Sequence, residues 1–255
     1  MQQEGGAAPV ALSTAEEPES EPPASESESS ISESERAPDP PAADGSAAAP
    51  PSEDERFAHA RDLDRRGETV AAARVYRELL LEDPANVRAR AELGRLYERA
   101  GEPELALEQY EAARVADPND VEVLTRLASA LCTLRRFAQA ERELKRAQRL
   151  DPARADVHTN LGIIYFKRGL YTQAEAELRR ATELDPDDAT GFYYRGEALN
   201  QLGRVDEALA ALMRAVELQP RHPRAYYTMG ILFDRKHLPN EAQAMFRKAR
   251  EVGRG

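Results

Sequence analysis

Apolar and polar positions along the chain follow a helical period, and residues 87–120 show this pattern in one complete copy. Apolar residues around Leu93 recur at intervals of three and four, which predicts a helix that ends before Gly101. A second periodic run begins at Pro103 and stops before Pro118, because proline lacks the N–H group that would continue a helix. The stretch therefore predicts two consecutive helices joined by a tight turn.

This two-helix unit recurs with a period of 34 residues. The proline that ends it recurs at Pro84, Pro118, Pro152, Pro186 and Pro220. Small residues recur in the two helices at Ala60, Gly94, Ala128, Gly162, Gly196 and Gly230, and at Ala72, Ala106, Ala140, Ala174, Ala208 and Ala242. Bulky residues recur between them, for example at Tyr76 and Tyr110. Because large side chains can pack against small ones, the pattern predicts antiparallel helices at close approach.

A 34-residue period with Leu-Gly-x-x-Tyr, then Ala-x-x-x-aromatic, then Pro resembles the tetratricopeptide repeat (TPR) family. The resemblance extends over residues 53–255. It implies an all-α fold, a right-handed superhelical solenoid of antiparallel helix pairs. The chain departs from the family pattern at an early aromatic position of the first helix, which holds Arg56, Arg90, Leu124, His158, Phe192 and Tyr226 and never tryptophan.

The period divides the chain into a tail, residues 1–52, and an array of six repeats, residues 53–255. The predicted repeats are 53–86, 87–120, 121–154, 155–188, 189–222 and 223–255. The tail consists mainly of Glu, Ser, Pro and Ala, so it carries too little apolar surface to offset the entropy cost of ordering. We therefore expect a disordered N-terminal tail, which serves as a solubilising leader or carries phosphorylated serines between Ser25 and Glu35.

The turn between the two helices of a repeat is expected to contain a residue in the left-handed conformation. Glycine fills this position in four repeats, at Gly67, Gly101, Gly169 and Gly203. The third repeat has Arg135 there and the sixth has His237. Because side chains with a Cβ atom disfavour this conformation, we expect these two turns to be strained or differently shaped.

Charge is distributed unevenly between the two parts. The chain has 35 basic and 46 acidic residues. Residues 1–52 hold eleven acids and one base, for a net charge of −10, which leaves 34 basic and 35 acidic residues in the array. Binding to nucleic acid requires a basic surface that neutralises phosphates. A nearly neutral array therefore predicts no nucleic-acid partner.

The cellular location is predicted from what the sequence contains. The one cysteine, Cys132, excludes an internal disulfide framework and a zinc site built from cysteines. No run of 18 apolar residues occurs, so direct membrane insertion is not expected. Residues 1–10 lack the basic residues and apolar core of a signal peptide. We expect a cytoplasmic protein, and a periplasmic or envelope location is the alternative if a leader precedes Met1.

The residues that usually carry catalysis do not occur in a recognisable arrangement. The four histidines, at positions 59, 158, 222 and 237, include no pair at helical metal-ligand spacing. The glycines fit the repeat geometry, and no phosphate-binding loop or nucleophile elbow is present. The sequence therefore predicts a protein that is not an enzyme and that uses no cofactor or metal.

The TPR resemblance also implies a binding site, since the first helices of the repeats line a concave groove in that family. The corresponding residues predict a charged end and an end rich in aromatic and amide side chains. The charged end contains Arg61, Arg95 and Arg99, and the other end contains Asn160, Ile163, Phe166, Tyr193, Tyr194, Asn200, Gln201, Tyr227 and Ile231. A clamp for a peptide's terminal carboxylate is not expected, because Asp156 stands where that TPR variant requires lysine.

These observations predict a non-catalytic scaffold that binds a protein or peptide, extended or helical, in the concave groove. Two alternatives remain: an accessory factor for assembly of a cell-envelope or secretion complex, and the regulatory fragment of an enzyme. The last helix also retains apolar residues, including Met245 and Phe246, and no capping helix follows before Gly255. We therefore expect weak self-association through the C-terminal helix.

Overall fold

The computed structural model describes residues 51–254, which form twelve α-helices joined by short turns. The helices are α1 Glu53–Arg65, α2 Thr69–Glu82, α3 Val87–Ala100, α4 Pro103–Ala116, α5 Val121–Thr133, α6 Phe137–Leu150, α7 Ala155–Lys167, α8 Tyr171–Leu184, α9 Ala189–Gln201, α10 Val205–Leu218, α11 Pro223–Arg235 and α12 Pro239–Val252. The tail that we expect to be disordered lies, up to residue 50, outside the described residues.

The helices pack in consecutive pairs, and each pair packs on the next. In each pair we call the odd-numbered helix the first helix and the even-numbered helix the second. The first helices α5, α7, α9 and α11 also contact one another in series. These four helices, with α1 and α3, which ion pairs join to each other, form the surface that we call the inner face. The six helix pairs confirm the all-α solenoid.

Close packing within a pair depends on small residues in the first helix. A Cβ atom added to Gly94 would lie 2.6 Å from Cε1 of Tyr110, which is fully buried. At Gly230 the same addition would lie 2.5 Å from the ring of Phe246. Real Cβ atoms do not approach other atoms so closely, so a residue larger than glycine at either position would force the facing ring to shift. The predicted contact of large with small residues is therefore confirmed.

Local hydrogen bonds fix where the helices begin and end. Ser52 forms a capping box with Glu55 at the start of α1. Where an aspartate precedes the repeat proline, its carboxylate accepts a hydrogen bond from the N–H group two residues later; in the first repeat the N–H of Ala85 lies 2.9 Å from Oδ1 of Asp83. The same bond is made by Asp117, Asp151 and Asp185. These turns end the second helix and direct the chain into the next repeat.

The two turns without glycine have the left-handed conformation of the other four. Arg135 and His237 both have φ of 58°, and the four turn glycines have φ between 74° and 80°. The prediction left strain or a different shape open. The structure shows an unchanged turn in which a side chain occupies a backbone region that favours glycine.

The early aromatic position of the first helix, which never holds tryptophan here, holds in two repeats a basic side chain that donates a hydrogen bond to a carbonyl group. Arg90 Nε lies 2.9 Å from the carbonyl oxygen of Pro84. His158 Nε2 lies 3.0 Å from the carbonyl oxygen of Pro152, which is the equivalent residue. A hydrogen bond to the turn thus stands where the family uses an aromatic ring.

The apolar core is divided into three clusters along the array. One lies within α1, α2 and α3, a second extends from α4 to α9, and a third extends from α9 to α12. Adjacent residues of α9, Ala198 and Leu199, belong to the second and third clusters respectively. The helix α9 therefore joins two parts of the core.

Candidate protein-binding surface

Four of the predicted groove residues form what we call the aromatic end of the inner face: Phe166 of α7, Tyr193 and Tyr194 of α9, and Tyr227 of α11. The ring of Tyr194 lies 5.7 Å from that of Phe166 and 5.1 Å from that of Tyr193. Tyr193 continues the row, since its ring lies 4.3 Å from the imidazole of His222. These rings are half-buried against one another, at separations typical of favourable aromatic pairs.

Tyr227 differs from the other rings because it is 57% exposed. Its only ring neighbour among the described residues is Phe246 of α12, with 5.5 Å between the centroids. A large exposed aromatic side chain is a common anchor in protein interfaces. Tyr227 is therefore the ring with the most free surface for a partner.

The aromatic end also contains a carboxylate that the predicted site did not include. Glu197 lies one turn after Tyr193 on α9, and its Oε1 atom is buried without a hydrogen-bond partner among residues 51–254. Burial raises the pKa of Glu197, an effect that Thr228 opposes. Burial together with the charge of Glu197 raises the pKa of the Tyr193 phenol to about 12. The sequence could have indicated Glu197, because its position in the repeat is that of Arg61, Arg95, Ile163 and Ile231, which belong to the predicted site.

The predicted amide side chains are used in different ways. Asn160 donates to the backbone carbonyl oxygen of Asp156 at 2.8 Å. The Oδ1 atom of Asn200 accepts a hydrogen bond from Arg235 at 2.9 Å. Gln201 is exposed, and the aliphatic residues Ile163 and Ile231 are partly exposed on the same series of helices. Gln201 is therefore the amide with most capacity left for a partner.

Arg61, Arg95 and Arg99 form what we call the arginine end, and two of them pair with one acid that the predicted site omitted. Asp64 is 8% exposed and contacts Arg99, while Arg95 Nη2 lies 3.2 Å from its Oδ2. Arg95 also pairs with Glu92 at 2.8 Å. Of these three arginines, Arg61 alone has no ion pair within residues 51–254. Much of the charge at this end is thus compensated within the array.

The predicted residues do not line a single cavity. Arg61, Arg95 and Arg99 line a cleft of about 420 Å³, and Asn160 lines a polar cleft of about 240 Å³ in the middle of the array. Tyr193 and Tyr227 border a groove of about 860 Å³ between α11 and α12. We call this the C-terminal groove. It also contains Arg224, Phe246 and Arg250, which the predicted site omitted.

Residues 51–254 contain neither a cluster of metal ligands nor a membrane-spanning helix. Over this range no three His, Cys, Asp or Glu side chains gather as metal ligands. None of the helices there has the length and apolar character needed to cross a bilayer.

Known proteins provide an independent comparison. No curated protein matches the chain. Solved structures do: MamA has 28% identity, covers 64% of this chain and 95% of its own, and gives a TM-score of 0.56. YrrB, described as a TPR protein with an unusual peptide-binding site, has 23% identity. It covers 71% of this chain and 93% of its own, and gives a TM-score of 0.56. PilF of Pseudomonas aeruginosa has 21% identity, covers 79% of this chain and 92% of its own, and gives a TM-score of 0.70.

A family model matches the whole array and part of the tail. It is described as the Cilia and flagella-associated protein 70 C-terminal domain, is a TPR model, and matches residues 25–255. The twelve helices of residues 51–254 fit six such repeats. This chain therefore belongs to the TPR family of the Cilia and flagella-associated protein 70 C-terminal domain.

Proposed function

We propose that the chain is a non-catalytic interaction scaffold that binds an extended peptide or a helix of a protein partner at the aromatic end. A role in protein interaction is general for TPR proteins, and YrrB, which shares the fold, is described as peptide-binding. The observation that carries the proposal is Tyr227, whose ring is 57% exposed beside a row of aromatic side chains. Tyrosine offers a large contact area at a low entropy cost.

The carboxylate of Glu197 indicates which partner side chains fit. Its buried Oε1 atom has no hydrogen-bond partner within residues 51–254, and its charge acts on the nearby Tyr193. A lysine or arginine of a partner would satisfy the carboxylate and contact the faces of the rings. We therefore expect peptides that bind here to combine basic and apolar residues.

The arginine end contributes less. Because Asp64 and Glu92 compensate Arg95 and Arg99, Arg61 is the one of these three arginines that has no ion pair within residues 51–254. An exposed charge at the rim of an interface affects the association rate and its salt dependence more than the affinity.

The proposal can be tested with peptides selected from a displayed random library on the full chain. Selected peptides should be enriched in basic residues, and Tyr194→Ala and Tyr227→Ala should each weaken their binding about tenfold, as for interface anchors. Arg61→Ala is the control, and its effect should be confined to low salt. If the selected peptides bind both folded tyrosine variants with unchanged affinity in calorimetry, the aromatic end is not the binding site.

The alternatives of an envelope or secretion assembly factor and of an enzyme fragment stay predictions, as does the cytoplasmic location. The absence of nucleic-acid, cofactor and metal binding also stays a prediction.

A further inference from the structure

The C-terminal groove is built like the internal junctions between repeats. Its wall residues Ala242, Phe246 and Ala249 lie 34 positions after Ala208, Leu212 and Ala215. The latter three are at most 1% exposed, because they belong to the cluster in which α11 packs on α9 and α10. At the end of the described array, Ala242 is 3% exposed, Ala249 is 8% exposed and Phe246 is half-buried, so Phe246 supplies most of the apolar surface that this wall offers to an open groove of about 860 Å³.

The internal junctions show which apolar residues an incoming helix needs. When the first residue of each first helix is counted as position one, α3 places Ala89, Leu93 and Leu96 at positions three, seven and ten. These residues are buried in one cluster with α1 and α2, the preceding pair. In α11 the same positions hold Ala225, Met229 and Leu232, which are buried in the cluster with α9 and α10.

Polar contacts between neighbouring first helices add charge requirements at both ends. At position two, Arg88 Nη1 of α3 lies 2.8 Å from Oδ1 of Asp54 of α1. An acceptor at position twelve meets an arginine at position thirteen of the next first helix: Arg99 pairs with Asp64, and Arg235 donates to Asn200 at 2.9 Å. The contacts therefore follow fixed helix positions.

The last helix pair presents charged side chains at the same two positions, without an incoming helix in the described structure. Arg224 occupies position two of α11 and Asp234 occupies position twelve, and both line the C-terminal groove. Arg250 of α12 also lines the groove. The last turn of α12 lies near the start of α11, since a Cβ atom on Gly253 would be 3.6 Å from Pro223. One end of the groove is thus basic and the other is acidic.

We propose that the C-terminal groove binds an amphipathic helix of a protein partner. This helix carries an acid at position two, small or aliphatic residues at positions three, seven and ten, and a basic residue at position thirteen. The acid pairs with Arg224 and Arg250, the apolar residues contact Ala242, Phe246 and Ala249, and the basic residue pairs with Asp234. The C-terminal groove does not include Tyr194 or Phe166 of the aromatic end, although Tyr193 and Tyr227 belong to both.

A second copy of the chain fits the groove less well. The free helix at the other end of the described array, α1, has the required charges at Asp54 and Arg65, but its positions three, seven and ten hold Glu55, His59 and Asp62. Burying these polar groups on an apolar wall is unfavourable. Two C-terminal grooves facing each other would place Arg224 and Arg250 of both copies on facing walls. The predicted self-association is therefore the competing outcome.

The chain supplies a matched pair of synthetic probes. A peptide with the α7 sequence, residues 155–167, meets every requirement with Asp156, Val157, Leu161, Ile164 and Lys167. A peptide with the α1 sequence, residues 53–65, has the same end charges but polar residues in the three apolar positions. Both should carry the same helix-stabilising staple at positions five and nine, because isolated helices of this length are marginal in water.

The full chain should bind the α7 peptide at least about tenfold more tightly than the α1 peptide, because only the former buries apolar side chains. Gln243 lines the groove where the internal junction has the buried Leu209, so Gln243→Leu should strengthen binding several-fold. Arg224→Glu should weaken it by about threefold, and an Asp156→Arg peptide should restore it. Fluorescence anisotropy measures all five affinities.

Three results would overturn the proposal. Equal affinity for the two peptides would show that the residues at positions three, seven and ten do not contribute to binding. An α7 affinity that does not respond to Gln243→Leu or Arg224→Glu would place the peptide elsewhere. Sedimentation that shows dimers strengthened by Gln243→Leu and not dissociated by the α7 peptide would identify a second copy as the occupant. Tyr194→Ala should leave α7 binding unchanged, which separates this site from the aromatic end.

Discussion

The arginine end and the aromatic end of the inner face share one helix scaffold but differ in how far their side chains are satisfied. At the arginine end, Asp64 is buried between two arginines, and Arg95 has a second partner in Glu92. At the aromatic end, Tyr227 is exposed and a buried oxygen of Glu197 has no partner among residues 51–254. The first end uses its polar groups for folding, whereas the second retains groups for binding.

The number of charged side chains on a groove is therefore a poor guide to its binding capacity. Ion pairs within a repeat array lower the net field that a partner experiences, and solvent screens the remainder. An unpaired buried polar atom, in contrast, gains a full hydrogen bond when a partner supplies it. The following predictions compare the two ends, in order of decreasing effect.

The largest difference in stability is expected from adding a methyl group to the tight glycine of each end. At Gly94 the methyl group meets Tyr110, which is fully buried and whose hydroxyl donates to Glu98 at 2.9 Å, so its ring cannot move aside. At Gly230 it meets Phe246, which is only half-buried. Gly94→Ala should lower the free energy of unfolding by about 3 kcal/mol and Gly230→Ala by about 1 kcal/mol. Equal losses in urea unfolding would show that the two ends are packed alike.

The next largest effect is expected at Asp64. Asp64→Ala removes the acid that Arg95 and Arg99 share, and it should cost about 2 kcal/mol, because the carboxylate is buried while the arginines are partly exposed. Asp54→Ala is the control, since Asp54 also pairs with an arginine, Arg88, but is exposed; its loss should stay below about 0.5 kcal/mol. Similar thermal midpoints for the two variants would refute the view that the arginine end is held by its own ion pairs.

A smaller gain is expected from the turn in the last repeat. His237 has φ of 58°, a conformation that costs a residue with a Cβ atom about 1 kcal/mol. His237→Gly should therefore stabilise the aromatic end by nearly that amount. The equivalent Gly101 of the second repeat has φ of 76°, so Gly101→Ala should destabilise by a similar amount. Hydrogen exchange in α11 and α12 for the first variant, and in α3 and α4 for the second, measures each change locally.

The smallest effect on stability is expected at Glu197. Because burial raises its pKa in the folded chain, the ionised carboxylate is disfavoured at neutral pH, and Glu197→Gln should raise the thermal midpoint slightly. As the pH falls through the raised pKa, the thermal midpoint of the wild type should approach that of the variant. The difference should vanish below pH 4.5, the ordinary pKa of a glutamate. The same variant should weaken binding of basic peptides. A destabilised variant at neutral pH would mean that Glu197 supports the fold and is not held for a partner.

The fold could be predicted from the sequence because its determinants repeat at a fixed spacing. Glycine or alanine recurs opposite a bulky residue, and proline recurs at the end of each unit, so each position is identified several times over. The turns at Arg135 and His237 show the limit of this evidence. The sequence showed that glycine was missing there, but not whether the backbone would change or the side chain would tolerate the conformation.

The candidate site could be predicted only in part. The resemblance identified which helix positions face inward, which selected Tyr193, Tyr194 and Tyr227. It did not show which of those residues pair with one another, because pairing depends on neighbouring side chains in three dimensions. Asp64 and Glu197 were missed for this reason: both occupy inward positions, but their roles follow from burial, which a single sequence does not give.

The position of α9 between two core clusters has a consequence for how the molecule responds to force. In an array whose contacts connect only neighbouring repeats, tension on the two ends separates segments in succession, and the junction between clusters is a natural place for a break. The helix α9 contributes Ala198 to one cluster and Leu199 to the other, and it also carries Tyr193 and Tyr194. A peptide bound across these tyrosines and Tyr227 would bridge the junction. The array with a bound peptide should therefore unfold at a higher force than the array without one.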